Sequence, residues 1–142
     1  MRIVIGSDHA GYRLKQAVSD HLTAAGHEVH DVGCHGLDSV DYPDFAKLVA
    51  TGVVGGEADR GVLICGTGQG MAMTANKHPG IRASVVADVF SARGTRAHND
   101  SNVLCMGERV VGAGLALDIV DAWISTEFEG GRHARRVNKI ES

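Results

Sequence analysis

Several clusters of polar residues in this 142-residue chain have the types and spacing of reactive groups. The most informative is Cys65-Gly66-Thr67-Gly68-Gln69-Gly70, which follows a fully apolar run, GVLIC, at 61–65. A cysteine leaving a buried strand just before a helix N-terminus meets backbone N–H groups and a helix dipole that favour its thiolate. An unperturbed thiol has a pKa of about 8.5, so it needs such help to serve as a base near neutrality. Three alternate glycines let the backbone approach a ligand and offer its N–H groups as an anion nest. That nest suits an enediolate oxygen or a phosphate, but not both at once. The bland alternative is a buried, inert cysteine followed by a glycine turn.

The other clusters are each ambiguous alone. In Gly6-Ser7-Asp8-His9-Ala10-Gly11, Asp8 either titrates or simply caps the helix behind it, with His9 exposed on its first turn. His98 is either an acid–base group or a solvated imidazole favoured at a helix end. Arg132 and Arg136 are four apart, hence on one helical face, while Arg135 turns away. They form either a forked clamp for a phosphate dianion or a solvated basic tail. Taken together, a candidate base, an anion nest, imidazoles and two arginines match one chemistry: proton removal alpha to a carbonyl in a phosphorylated substrate.

The elements that must position these groups alternate along the chain. Residues 2–6 (RIVIG) predict a buried strand, and 11–25 a helix with Leu14, Ala17, Val18, Leu22 and Ala25 at three- and four-residue spacings. Gly26 ends it. A half-exposed strand follows at 27–32, then a helix opened by Pro43 and carrying Phe45, Leu48, Val49 and Val53. The run 61–65 reads as a central strand covered on both faces. Next come a helix over about 69–77, a strand at 82–87, a helix at about 89–97 and a strand at 102–106. A long helix over about 112–127 has Leu115, Ile119, Val120, Trp123 and Ile124 as its apolar side, and Gly130-Gly131 separates it from a short basic helix. Five such units predict an α/β fold: a three-layer, five-stranded parallel sheet with helices on both faces, Rossmann-like, forming one domain over 1–142. Ligands in such sheets bind outside the carboxyl ends of the strands, so the polar clusters are expected mostly along that edge.

Composition narrows the class of partner. A content of 44% hydrophobic and 22% charged residues is that of an ordinary globule. The net charge of −3 leaves no broad basic face, which argues against nucleic acid. Three cysteines, Cys34, Cys65 and Cys105, form no CxxC pair, and their odd number argues against a disulfide framework. Free thiols point to a reducing compartment. The N-terminus meets charge at Asp8, too early for a signal-peptide core, and no apolar run is long enough for a membrane span. The expected location is therefore the cytoplasm.

Three other readings compete. Gly66-x-Gly68-x-Gly70 with Asp88 downstream imitates a dinucleotide fingerprint, but the spacing is GxGxG and the turn follows the third strand, not the first. A cysteine hydrolase using Cys65, His98 and an aspartate is not opposed by anything in the sequence. A non-catalytic sensor of a phosphorylated ligand is disfavoured by the intact acid–base set.

The segments GSDHAG (6–11), DYPDFA (41–46), ICGTGQGM (64–71), ANKHPGIRA (75–83), HNDSNVL (98–104), G-ERVVG (107–112) and EGGRHARRV (129–137) together carry a strong resemblance. In order and over essentially the full chain, they resemble the ribose-5-phosphate isomerase B family, which includes allose- and galactose-6-phosphate isomerases. The resemblance implies that Cys65 shuttles a proton between C1 and C2 of the sugar. Backbone N–H groups from Gly66, Gly68 and Gly70 would hold the enediolate, and Thr67 would assist at the hydroxyl and carbonyl oxygens. Asp8 and His98 would open the furanose ring, and Asn99 would orient substrate. His9, Arg132 and Arg136 would bind phosphate, with Tyr42 lining the pocket. The resemblance also implies a homodimer, or a tetramer, in which His98, Asn99 and some phosphate ligands come from the second subunit and the C-terminal helix extends to that partner. A branch of the family uses a glutamate base on the helix after a non-thiol residue. Here Cys65 is present and Met71, Met73 and Thr74 begin that helix, which resembles the cysteine branch. An enediol mechanism needs only acid–base groups and oxyanion stabilisation, so no metal or organic cofactor is expected. Ribose 5-phosphate is the first expected substrate, with allose 6-phosphate, galactose 6-phosphate or a tetrose phosphate as alternatives.

Overall fold

Apolar runs bounded by turn residues become five strands in the computed structural model, which describes residues 1–142. They are β1 (Arg2–Ser7), β2 (Glu28–Asp31), β3 (Arg60–Cys65), β4 (Ala83–Val85) and β5 (Val103–Gly107). All pair in parallel, in the order β2-β1-β3-β5-β4. The register sets Ser7 opposite Ile64 and Cys65 opposite Gly107, which aligns the ends of the three inner strands. Between them run α1 (Tyr12–Ala24), α2 (Tyr42–Val54), α3 (Gln69–Ala75) and α4 (Val89–Asn99); α5 (Ala113–Ser125) follows β5, and α6 (Arg132–Ile140) closes the chain. The expected three-layer α/β architecture is present.

The pleat of the inner strands sorts their side chains between two cores. Ile3, Ile5, Val62, Ile64, Leu104 and Met106 pack under α1, α4 and α5 with Leu14, Val18, Ile119 and Trp123. Val4, Leu63, Cys65, Val103 and Cys105 pack under α2 and α3 with Val49, Ala50, Met71 and Ala75. The buried stripe of α2 is Ala46, Val49 and Ala50, so Leu48, expected inside, stands one step out of phase and is exposed. Leu115 is exposed for the same reason, since α5 buries Ala116, Ile119, Val120 and Trp123. β4 is shorter than the apolar run 82–87 because it is an edge strand with β5 as its one neighbour.

The periodicity also misplaces Lys15, which reads as polar surface but is fully buried. Its ammonium donates to both oxygens of Asp31 at 2.8 and 2.7 Å and to the carbonyl of Cys34 at 2.5 Å. Three acceptors match its three N–H protons, the condition under which a buried cation is tolerated. The bond to Cys34 fastens the loop after β2 beside the end of β1.

Chain order reverses between β1 and β3: the first crossover goes to one side of β1, the next to the other. That switch point opens the crevice where ligands bind in sheets of this kind. Asp8 follows β1 on one side of it, and Cys65 ends β3 on the other.

Candidate active site at the switch point

Cys65 ends its strand as one of the buried residues, and its Sγ accepts the backbone N–H of Gly68 at 3.1 Å. That N–H is aimed at the sulfur by the turn that follows the strand. The turn that aims this N–H depends on glycine. Gly68 has φ +81°, a left-handed conformation that side chains rarely adopt, and α3 starts immediately after it. Gly70 is required for another reason: the ring of Tyr42, at the head of α2, lies where a Cβ would project. Thr67 is exposed at the crest, its Oγ1 accepting the Gln69 N–H at 3.3 Å.

The segment after β5 clamps this turn from behind. Glu108 N donates to Cys65 O at 2.9 Å and Arg109 N to Gly66 O at 3.1 Å. The exposed Arg109 guanidinium lies against Gly66, its Nη1 3.4 Å from where a Cβ would stand. Sequence reasoning missed Arg109; the signal lay in GERVVG, which places an arginine two residues past the end of a central strand. The two other thiols are structural. Burial first, and then neighbouring Cys65, push the Cys105 thiol well above the ordinary cysteine range. Cys34 is buried and donates to Gly36 O at 3.3 Å.

Across the crevice, Asp8 does cap the turn behind it: its Oδ1 accepts from Ala10 N at 3.0 Å and Gly11 N at 3.1 Å. Its backbone N–H reaches Ile64 O at 3.3 Å, which places it one residue from Cys65 on the neighbouring strand. Oδ2 makes no hydrogen bond within the chain, so capping and acid–base work are not exclusive here. His9 is half-buried, not fully exposed, and its Nδ1 accepts the Val40 N–H at 3.2 Å. A neutral ring then carries its proton on Nε2 and donates from there.

The remaining expected site residues stand elsewhere in the chain, which corrects the reading that the polar clusters mostly share one edge. Parallel crossovers return the chain to the opposite end of the sheet, so α4 ends, with His98 and Asn99, at the edge where strands begin. From Cys65 that is about one strand length, roughly 15–20 Å. α5 returns to the same edge, and α6 then packs on α4, carrying exposed Arg132 and Arg136. Asp8, His9, Tyr42, Cys65, Gly66, Thr67, Gly68 and Gly70 therefore form one group, and His98, Asn99, Arg132 and Arg136 another. Within one chain α6 folds onto its own α4.

Nor does one chain enclose a pocket of substrate size around the sulfur in either of its two large cavities. One of about 550 Å³ is bounded by Asn76–Ser84, Asn99, Ile140 and Glu141. The other, also about 550 Å³, lies between β2 and α2. Cys65 lines neither.

A doubly wound parallel sheet with a thiol and a carboxylate astride its switch point defines a class of small α/β enzyme, and comparison with known proteins assigns the family. The Ribose/Galactose Isomerase family model matches residues 3–140, and the chain belongs to that family. Ribose-5-phosphate isomerase B of Escherichia coli is 50% identical over 139 residues, covering 98% of this chain and 93% of that protein. The structure of Clostridium thermocellum ribose-5-phosphate isomerase B superimposes with a TM-score of 0.99 at 59% identity, covering 99% of this chain and 95% of that one. Ribose-5-phosphate isomerase B from Mycoplasma genitalium with bound ribulose 5-phosphate gives a TM-score of 0.95 at 44% identity, covering 99% and 93%. The expected family and fold are thus confirmed. No helix is long and apolar enough to cross a membrane.

Proposed function

We propose that this chain interconverts ribose 5-phosphate and ribulose 5-phosphate through an enediolate, in a site shared between two copies. The observation that carries the proposal is Cys65 Sγ at the switch point, accepting the Gly68 N–H at 3.1 Å beside Asp8. The relatives that match over nearly the full chain bear this activity in their names, which supports the same substrate here.

In this reading Asp8 Oδ2 and His98 open the furanose ring, one taking the anomeric hydroxyl proton while the other donates to the ring oxygen. Cys65 then removes the proton from C2 as a thiolate and returns it to C1. The negative charge that develops on oxygen is met by amide N–H groups of the 66–70 turn, with Thr67 Oγ1 assisting proton movement between the C1 and C2 oxygens. Asn99 orients the sugar hydroxyls, and Tyr42 closes the wall beside Gly70. The phosphate is held by His9, Arg132 and Arg136, to which we add Arg109 because its guanidinium lies against the turn. These steps require only proton transfer and oxyanion stabilisation, so no cofactor enters the scheme.

The separation of the two groups on one chain motivates the dimer. A second copy would bring its own His98, Asn99, Arg132 and Arg136 over the Cys65 edge of the first, through its α6 and α4. The whole of 1–142 serves as one isomerase domain, and its three free, buried thiols suit the reducing cytoplasm.

Incubation with ribose 5-phosphate in heavy water tests the proposal. Ribulose 5-phosphate should form with deuterium at C1, less whatever is passed internally by the thiol. Parallel incubations with allose 6-phosphate, galactose 6-phosphate and a tetrose phosphate rank the alternatives. These substrates differ by one carbon unit, which shifts binding by about 1–3 kcal/mol, so cross-reaction at reduced kcat/KM is expected. No turnover of any of the four refutes the proposal.

A further inference from the structure

The corner between α4 and α6 gathers three metal-ligating side chains. His98 Nε2 lies 3.9 Å from Glu129 Oε2, and His133 Nε2 lies 3.4 Å from the same oxygen. All three ligand atoms fall within 4.8 Å of one another. We propose that His98, Glu129 and His133 form a site for a divalent transition-metal ion of the zinc type, and that occupancy silences the isomerase by sequestering His98. The silencing half rests on the ring-opening role given to His98 above.

The chemistry of the donors selects the ion. Two imidazoles and one carboxylate, with a position open to water, form a recurrent zinc set, whereas magnesium and calcium prefer oxygen ligands. Ligands about 2.1 Å from a tetrahedral ion stand about 3.4 Å apart, which the His133–Glu129 pair already meets. His98 must approach further. Its side chain is 51% exposed and that of Glu129 58%, so both are free to rotate inward.

The site is also built, not scattered. His133 is buried, and its Nε2 is the one buried side-chain nitrogen or oxygen in the chain without a hydrogen-bond partner. An orphaned buried imidazole nitrogen calls for an explanation, and a metal ion supplies one. The ring stacks on His98 with centroids 4.4 Å apart, so the two imidazoles are neighbours and His98 must tilt out of the stack for both Nε2 lone pairs to meet at one ion. Glu129 is held to the same corner because its backbone N–H donates to Ala97 O at 3.0 Å, one residue before His98. The left-handed turn at Gly130 and Gly131 then brings the chain around so that His133 faces Glu129. Arg132 and Arg136 oppose a cation here, which limits affinity and makes occupancy reversible.

The test uses full-length protein stripped with a chelator and then desalted. Cobalt(II) is titrated while visible absorption is followed, and zinc is titrated by calorimetry and against initial rate. Expected are one ion per chain, tetrahedral cobalt bands, and an elevenfold or so loss of turnover when zinc reaches ten times its Kd. Each variant is compared with itself, with and without metal, so changes in basal rate do not enter. Glu129→Gln, at an exposed position, should weaken zinc by about tenfold or more, and His133→Asn should do the same where it folds. Zinc affinity and inhibition unchanged in E129Q would overturn the site. Cobalt bound with turnover unaffected would overturn the silencing and the role of His98 while the site stands. Absent isomerase activity in metal-free protein would instead count against the parent function, which the cobalt titration does not depend on.

Discussion

The switch-point edge and the α4–α6 corner are built on opposite principles. At the switch point nearly every contact involves backbone. Cys65 accepts from Gly68 N, Asp8 from Ala10 N and Gly11 N, and Gly66 O from Arg109 N. Such a site is fixed by strand register and turn conformation and can be placed to a fraction of an ångström. At the corner the contacts are between side chains on helix ends: stacked imidazoles, a carboxylate shared between them, and two arginines reaching into solvent. A proton abstraction demands the first kind of precision. Holding a phosphate, or assembling against another copy, tolerates the second. One chain supplies both kinds, but topology keeps them a strand length apart.

The sharpest way to break this comparison is to remove its rigid partner. Cys65→Ala should lower kcat by about a thousandfold or more, since the proton-abstracting base is lost. Circular dichroism and sedimentation should be unchanged, because the substitution removes one sulfur from a strand end otherwise held by β1 and β5 pairing. Residual turnover within tenfold of the parent would shift the base to another group.

Mixing two inactive variants tests whether the corner acts on the same chain or on a neighbour. His98→Asn alone should reduce turnover by about a hundredfold. In a refolded equimolar mixture of C65A and H98N, half the dimers are mixed, and each mixed dimer has one site with both an intact thiol and an intact imidazole. About a quarter of the parent activity should return. If each chain supplies its own His98, the mixture stays inactive, and the shared site is wrong.

These two tests probe what the sequence could and could not reveal. The CGTG turn was legible because everything it needs lies within six residues: a strand, a sulfur and glycines that free the backbone. The strand order was not, yet the rule for ligand sites in parallel sheets found the right edge regardless. His98 was legible as a reactive type but misplaced in space, because distance along the sequence does not say at which end of the sheet a crossover helix stops. Lys15 was hidden by a helical pattern that registers charge but cannot see the Asp31 carboxylate and Cys34 carbonyl waiting inside. Arg109 belongs to a loop whose importance appears only when β5 is set beside β3. Local chemistry was readable, then, and long-range juxtaposition was not.

Arg136→Ala should have a smaller effect of a different kind. A charged hydrogen bond to phosphate present in both ground and transition states contributes uniform binding, so KM should rise by about tenfold with kcat nearly unchanged. A fall in kcat with KM unaltered would mean that Arg136 itself takes part in the chemistry and not only in holding the substrate.

The smallest expected effect comes from the start of α4, the helix whose other end carries His98. Its N-cap is Asp88, whose carboxylate accepts from Ser91 N at 2.6 Å and Ser91 Oγ at 2.8 Å. The backbone N–H of Ser91, with its hydroxyl, holds the Asp88 carboxyl below the usual carboxylate range. Because the folded-state pKa is the lower one, this cap stabilises the protein above the unfolded value of about 3.9 and is lost as pH falls through the folded value. Asp88→Ala should therefore lower Tm by about 2–4 °C at neutral pH, a difference that shrinks below about pH 4. Thermal melts of both proteins from pH 3 to pH 7 read this directly, and kcat/KM at 25 °C should not move, since Gly68 and Cys65 owe nothing to the cap. A parallel loss of kcat/KM would mean that fraying at the start of α4 reaches His98 at its end.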